Sequence, residues 1–380
     1  MNLLVITIII VFLFCLIHHR IKESIFLYLI TFSLIVCQHA LVDETTVPAD
    51  IENYFEMFYE FGRYSFLGYL HNSSSIEVGY FFLNKIIYFF SHNHYSLLTV
   101  YSIVLVSLYF VSIRKYSTDF FISVLYFLFI FNNQALFVLR QHLAIAIVLF
   151  SYQYIIDRKV FKFIGITALA VSMHMTAIIW LPAYFIYGIK NSKKLLLGLS
   201  IAGIILFYIM NNLIWINQYF NLGYDAYTIG EKSMSSNFTE FFMYLPVLVI
   251  YFITLKDDLF KEGINKLITI GLFITVIGLF VGTNLSLLSR LMHYYKVSLL
   301  FAVPLIMSHM KAPVLKMAFL VCSSALFFIA GFYGNSTENT MLIKFHIVNI
   351  SFLLLTLVLG SIVFYYTQRN ISKYNDQLTQ

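Results

Sequence analysis

The stretch FVLRQHLAIAIVLF, residues 137–150, sets Arg140 inside an otherwise apolar run. A later stretch, SRLMHYYK, carries Arg290, with His293 and Tyr294 three and four positions on, on the same face of a helix. A charge at the centre of a lipid bilayer costs about 2.5–3.5 kcal/mol even on lenient insertion scales, so such residues face a cavity or a partner. Counted from Gln134 and Asn284, where their helices are expected to begin, both arginines lie about 9 Å along from the same face of the membrane. Two planar, permanently charged forks at one depth fit the oxygens of a phosphate group. The plainer alternative is that each arginine snorkels to the interface or pairs with a loop carboxylate. Ala144 and Ala146, after Arg140, are small enough for a neighbour or ligand to come close.

His174, in VSMHMTAIIWLP, falls at the turn between two short apolar helices, at the same rim as the arginines. Histidine exchanges a proton near neutral pH, which suits a general base; an interface residue is the simpler account. Asp50 and Tyr54 sit in PADIENYFEMFYEFG, where Pro48 and Asp50 read as a helix start with Asp50 as its cap. Glu77 precedes Gly79 at the start of the next helix, where a carboxylate is welcome beside the helix dipole. Carboxylates in these places can also bind sugar hydroxyls or deprotonate one. Tyr294 as plain packing is the simpler reading of that side chain.

The elements that must position these residues are set by composition. The chain has 380 residues, 60% of them hydrophobic and 11% charged, with a mean hydropathy of +0.84. That much apolar surface calls for lipid as solvent. The net charge of +6 comes in short clusters between apolar segments, which is the positive-inside pattern and gives no reason to expect nucleic acid. Cys15, Cys37 and Cys322 are odd in number and all apolar in context, so neither a disulfide framework nor a metal cluster is expected. Forty phenylalanines and 28 tyrosines serve as lipid-facing bulk and interface belts. No P-loop, HExxH, CxxC or GxSxG motif is present.

Apolar helices are expected at about 2–17, 24–41, 94–113, 119–133, 134–156, 160–174, 175–189, 194–211, 239–255, 264–283, 284–308, 313–333 and 346–366. This makes an all-α, polytopic membrane bundle of about 13–14 spans in a single domain, 1–380. The first run has no basic leader before it, so it is expected to be a retained span. With the connection 18–23 placed inside, every basic residue except Arg63, Lys85, Arg140, Lys232, Arg290, Lys296 and Lys344 also falls inside. The N-terminus is then outside and the C-terminus inside. Counting 77–91 as a span would put Arg114 and Lys115 outside. Residues 42–93 therefore read as one acidic outer loop with two amphipathic helices, about 50–66 and 77–91, lying on the outer leaflet. A second outer loop is expected at 212–238.

In this order, the pieces ADIENY, IEVGYFFLNKI, LRQHLAIAI, SMHMTAIIWLP and SRLMHYYK resemble the EpsG-like family of polysaccharide polymerases, relatives of the Wzy O-antigen and capsule polymerases. They cover roughly 45–300; Val78 stands where the family often has proline, and the last two spans match nothing in particular. The resemblance implies a GT-C-like membrane glycosyltransferase in a bacterial cytoplasmic membrane, with its active face towards the periplasm or exterior. The implied donor is a glycan on undecaprenyl diphosphate and the acceptor another lipid-linked repeat unit. Arg140 and Arg290 would hold the diphosphate. His174 or Asp50 would take the acceptor proton. Tyr54, Glu77, His293 and Tyr294 would contact substrate. No cofactor or metal is called for, and a flippase and a chain-length regulator are conceivable partners.

A flippase or other transporter also wants arginines in a cavity, but the chain has five prolines and no visible half-repeat. A membrane O-acyltransferase can use a boundary histidine, yet has no clear place for the acidic loop. A lipid-linked oligosaccharide ligase differs only in acceptor.

Overall fold

The computed structural model describes residues 3–17, 25–40, 49–72, 76–211, 231–281 and 286–333, and among these every regular element is a helix. Two apolar helices, α1 (Leu3–Ile17) and α2 (Ile25–Ala40), lead to three shorter ones: α3 (Ala49–Arg63), α4 (Phe66–Asn72) and α5 (Val78–Phe90). Then come α6 (Tyr95–Tyr116), α7 (Phe120–Ile130), α8 (Gln134–Phe137), α9 (Leu139–Leu149), α10 (Tyr152–Ile156) and α11 (Val160–Met173). A 3-10 helix, Met175–Trp180, joins α11 to α12 (Leu181–Tyr187). The rest is α13 (Ser192–Asn211), α14 (Glu231–Leu255), α15 (Ile264–Val281), α16 (Ser286–Lys296), α17 (Leu299–His309) and α18 (Pro313–Tyr333).

Helices α7, α9 and α17 are buried along almost their whole length and form the core. Apart from Arg140, Gln141 and His142 at the start of α9, they are apolar nearly all round, as enclosed helices are. Around them α1, α17 and α18 pack on α7, and α6 and α11 pack on α9. Asp119 starts α7 by accepting the Ile122 N–H at 3.1 Å, which gives this apolar helix a defined origin. The outward faces carry bare apolar side chains such as Phe26, Phe89, Phe161 and Ile204, each more than two-thirds exposed. With the composition, this makes the chain an integral membrane protein.

Three described segments have the length and hydropathy to cross a bilayer: Tyr95–Tyr116, Ile264–Val281 and Arg290–His309. Many of the other apolar helices are shorter, some because an expected span is broken. Residues 134–156 form α8, α9 and α10, with Val138 (φ −126°, ψ 64°) closing one helix and opening the next. Arg140 therefore sits in the first turn of α9, not partway along a continuous helix. Residues 175–189 are a 3-10 turn followed by α12, and 284–308 contain two helices, α16 and α17. Of the expected second loop, 212–230 lies outside the described residues, and 231–238 already belong to α14. The final expected span, 346–366, lies outside them too.

The two amphipathic helices of the first loop appear as α3 and α5, and α4, unforeseen in the sequence, lies between them. Asp50 stands inside the first turn of α3 and is not its cap residue. The side of α5 not packed on the protein presents Phe82, Ile86, Phe89 and Phe90.

Candidate active site

Glu77 is the residue before α5, in extended conformation (φ −68°, ψ 139°), and its side chain does not cap its own helix. It reaches instead to the end of α11, because α5 and α11 pack closely there. Gly79 permits this approach: a Cβ at that position would meet Ser172 Oγ and lie 2.7 Å from the Ser172 carbonyl oxygen.

Helix α11 stops at Met173. His174 is extended (φ −157°, ψ 122°) and the chain restarts as the 3-10 helix. This kink leaves the Met175 N–H without a helical acceptor. Glu77 Oε1 takes it at 2.8 Å and also faces His174 Nδ1 at 2.9 Å. The other carboxylate oxygen, Oε2, accepts from Arg140 Nη1 at 2.5 Å. Three segments remote in sequence thus meet on one carboxylate. Its side chain is 13% exposed, that of Arg140 19% and that of His174 22%, so the cluster is half-buried.

The electrostatics follow. Burial pushes the Glu77 carboxyl up, but the His174 and Met175 hydrogen bonds and the Arg140 charge together outweigh it and bring it down to about 2. Glu77 is therefore an ionised, acceptor-only group at any working pH. His174 Nδ1 must then carry the hydrogen it shares with Glu77, which leaves Nε2 of the neutral ring with a lone pair.

Arg140 has further company. Its guanidinium lies over the Tyr80 ring, 5.9 Å from the centroid, and it interacts with Tyr54. Tyr54 and Tyr80 meet edge to face at 6.0 Å. Arg140 Nε and the Tyr80 hydroxyl are buried without a hydrogen-bond partner among the described residues.

The other expected residues are arranged around this centre. Tyr294 hydroxyl and Thr176 Oγ1 are 3.0 Å apart, which ties α16 to the segment following His174. Gln141 Nε2 donates to the Arg290 carbonyl oxygen at 2.6 Å, which ties α16 to α9. Arg290 itself is exposed and is not joined to the Glu77 cluster by any hydrogen bond or ion pair in the described residues. His293 is buried, its ring 6.0 Å from that of His142. The side chain of Asp50 lies outside the described residues. Gln141, His142 and Thr176 carried no signal in the sequence beyond standing next to residues that did. Among the described residues, no three His, Cys, Asp or Glu side chains are grouped so as to hold a metal ion.

No curated protein and no solved structure matches the chain. A model of the EpsG family matches residues 40–347, a stretch that takes in Glu77, Arg140, His174 and all of α16. The chain belongs to the EpsG family.

Proposed function

We propose that the protein is a membrane glycosyltransferase that polymerises lipid-linked glycan repeat units. Membership of the EpsG family points to a polysaccharide-polymerase-like function. The observation that carries the finer reading is the convergence of Glu77, Arg140 and His174, a carboxylate-oriented imidazole beside a guanidinium. In this reading His174 Nε2 takes the proton of an acceptor hydroxyl. The hydroxyl oxygen attacks the anomeric carbon of the donor sugar. The bond from that carbon to the diphosphate breaks, and its electron pair leaves on the diphosphate. Arg140, with uncommitted donor capacity at Nε, and exposed Arg290 stabilise that developing charge. In this reading Tyr54, His293 and Tyr294 contact substrate, and Asp50 is the alternative base.

The donor is a glycan on undecaprenyl diphosphate and the acceptor a second lipid-linked repeat. The fold is of the GT-C-like kind, with 42–93 and the Glu77 cluster on the outer face of a bacterial cytoplasmic membrane. A flippase would supply the substrate and a chain-length regulator would limit the product. Incubation of purified protein with lipid-linked repeats alone tests the reading. A ladder of products is expected. A single product means a ligase, and no product with retained lipid-linked glycan binding means transport.

A further inference from the structure

We infer that Glu77 and the donor diphosphate compete for Arg140, so that donor binding itself releases Glu77 to activate His174. This rests on the reading of Arg140 as a diphosphate-binding residue. The two oxygens of Glu77 do separate work. Oε1 serves His174 Nδ1 and the Met175 N–H, and Oε2 serves Arg140 Nη1. Arg140 can therefore leave Glu77 without disturbing the two hydrogen bonds that hold the imidazole.

Arg140 also has reason to leave. Its Nε is buried and unpartnered among the described residues, so the Glu77 oxygen and Tyr54 together leave part of its donor capacity unused. A diphosphate has more charge and more acceptor oxygens than a carboxylate, and a guanidinium binds such groups through two parallel N–H donors. Around the pair, the Tyr80 ring lies under Arg140 and Tyr54 hydrogen-bonds to it, while His174 and Met175 hold Glu77 by its other oxygen. Beyond Glu77, the neighbours of the guanidinium are thus two tyrosines and not a second carboxylate.

The consequence concerns the proton. While Arg140 neutralises Glu77, the carboxylate does little to stabilise a positive charge on His174. Once the diphosphate has taken Arg140, the full charge of Glu77 faces the imidazole, and Nε2 becomes a stronger base at the moment a donor is present. Without donor the base is idle. Glu77 is then a positioning residue that acts through Arg140 and His174, not a sugar contact.

The sign of one effect decides the matter. Glu77→Gln keeps the hydrogen-bond acceptor towards His174 and Met175 but removes the charge that competes for Arg140. With farnesyl diphosphate as a short-chain probe and the full-length protein in nanodiscs, Glu77→Gln should bind about tenfold tighter or better than wild type. Donor KM should fall while kcat falls by about 10²-fold or more. An unchanged or weaker probe Kd overturns the inference, as does a KM that rises, which is the signature of a lost sugar contact.

If Glu77→Gln does not purify as a folded protein, Arg140→Gln is compared with the double variant Arg140→Gln/Glu77→Gln, which removes both charges. With Arg140 gone there is nothing left to compete for, so the two should bind the probe equally; tighter binding by the double variant would mean plain repulsion by Glu77 and overturns the competition. A ladder from wild type with no tightening in Glu77→Gln refutes the competition alone. Tightening without any ladder refutes the polymerase reading and leaves the competition standing.

Discussion

The carboxylate of Glu77 is where the chemistry of this chain converges, and it explains how a buried arginine is tolerated. Arg140 stands in the first turn of α9, the positive end of a helix, where a cation is least welcome. A carboxylate at 2.5 Å from another helix offsets both that dipole and the loss of water. Two measurements follow at this scale. His174→Ala should lower turnover about 10²- to 10⁴-fold, the usual contribution of a general base. Met175→Ala should change little, because Met175 meets Glu77 through its main-chain N–H only and its side chain is exposed. Steady-state rates with lipid-linked repeats check both, and equal losses at the two positions would remove His174 from the base role. The second measurement is of stability against pH. The Glu77 carboxyl titrates at about 2 in the folded chain against an ordinary value of 4.5. A depressed value means the ionised form favours the folded state, so this contribution is fully present above pH 4.5 and is lost as pH falls through 2. Thermal unfolding of wild type and Glu77→Gln should accordingly differ by a constant amount above pH 4.5, and the two curves should converge in acid.

Elements determine whether these side chains meet. Gly79 is the point of contact between α5 and α11, and a methyl group there would run into the Ser172 carbonyl oxygen as well as its hydroxyl. Gly79→Ala should push the start of α5 away from α11 and separate Glu77 from His174, with a large loss of activity. Ser172→Gly should not restore it, since the main-chain oxygen remains. Gly165→Ala is the control within α11: its Cβ would meet nothing within 4 Å, so the change should be neutral or add helix stability of about 1 kcal/mol. Activity and thermal stability of the variants decide the point, and a fully active Gly79→Ala protein would show that the close approach is dispensable. Much of this level was legible in the sequence. The apolar runs marked α1, α2, α6, α7, α11 and α15 to within three residues at each end, and the acidic loop marked α3 and α5. Arg140 was legible as a charge out of place in an apolar run, His174 as a histidine at the turn between two apolar helices, and Glu77 as a carboxylate at a helix start. Their meeting was not, because Glu77 lies 63 positions from Arg140 and 97 from His174, and no local pattern records a contact at such separation. The break at Val138 was hidden for a different reason: it falls in an apolar run with neither glycine nor proline, and tertiary packing sets it.

At the scale of the whole molecule, the exceptions to the charge pattern carry information. Two of the basic residues that the proposed topology leaves on the outer side hold carboxylates: Arg140 pairs with Glu77, and Lys296, almost fully buried, with Glu240. A third, Lys85, donates to the Tyr64 carbonyl oxygen at 2.6 Å. These cations are held by partners of their own, so they do not count against an orientation set by clusters such as Arg114 with Lys115. The proposed orientation then makes a firm statement about surfaces. The connection between α4 and α5 and the turn after α6 must lie on opposite sides of the membrane, because α6, at 22 residues, is long enough to cross by itself while α5, at 13, is not. Single cysteines at Ser74 and Lys115 test this in intact cells, once Cys15, Cys37 and Cys322 have been replaced and activity retained. An impermeant maleimide added from outside should label the Ser74 site at once and the Lys115 site only after the membrane is opened. The reverse pattern would invert the chain and put the Glu77 cluster on the cytoplasmic face, against the proposed orientation. Labelling of both sites from outside would mean that α5 crosses the membrane together with α6, and the first loop would no longer be a loop.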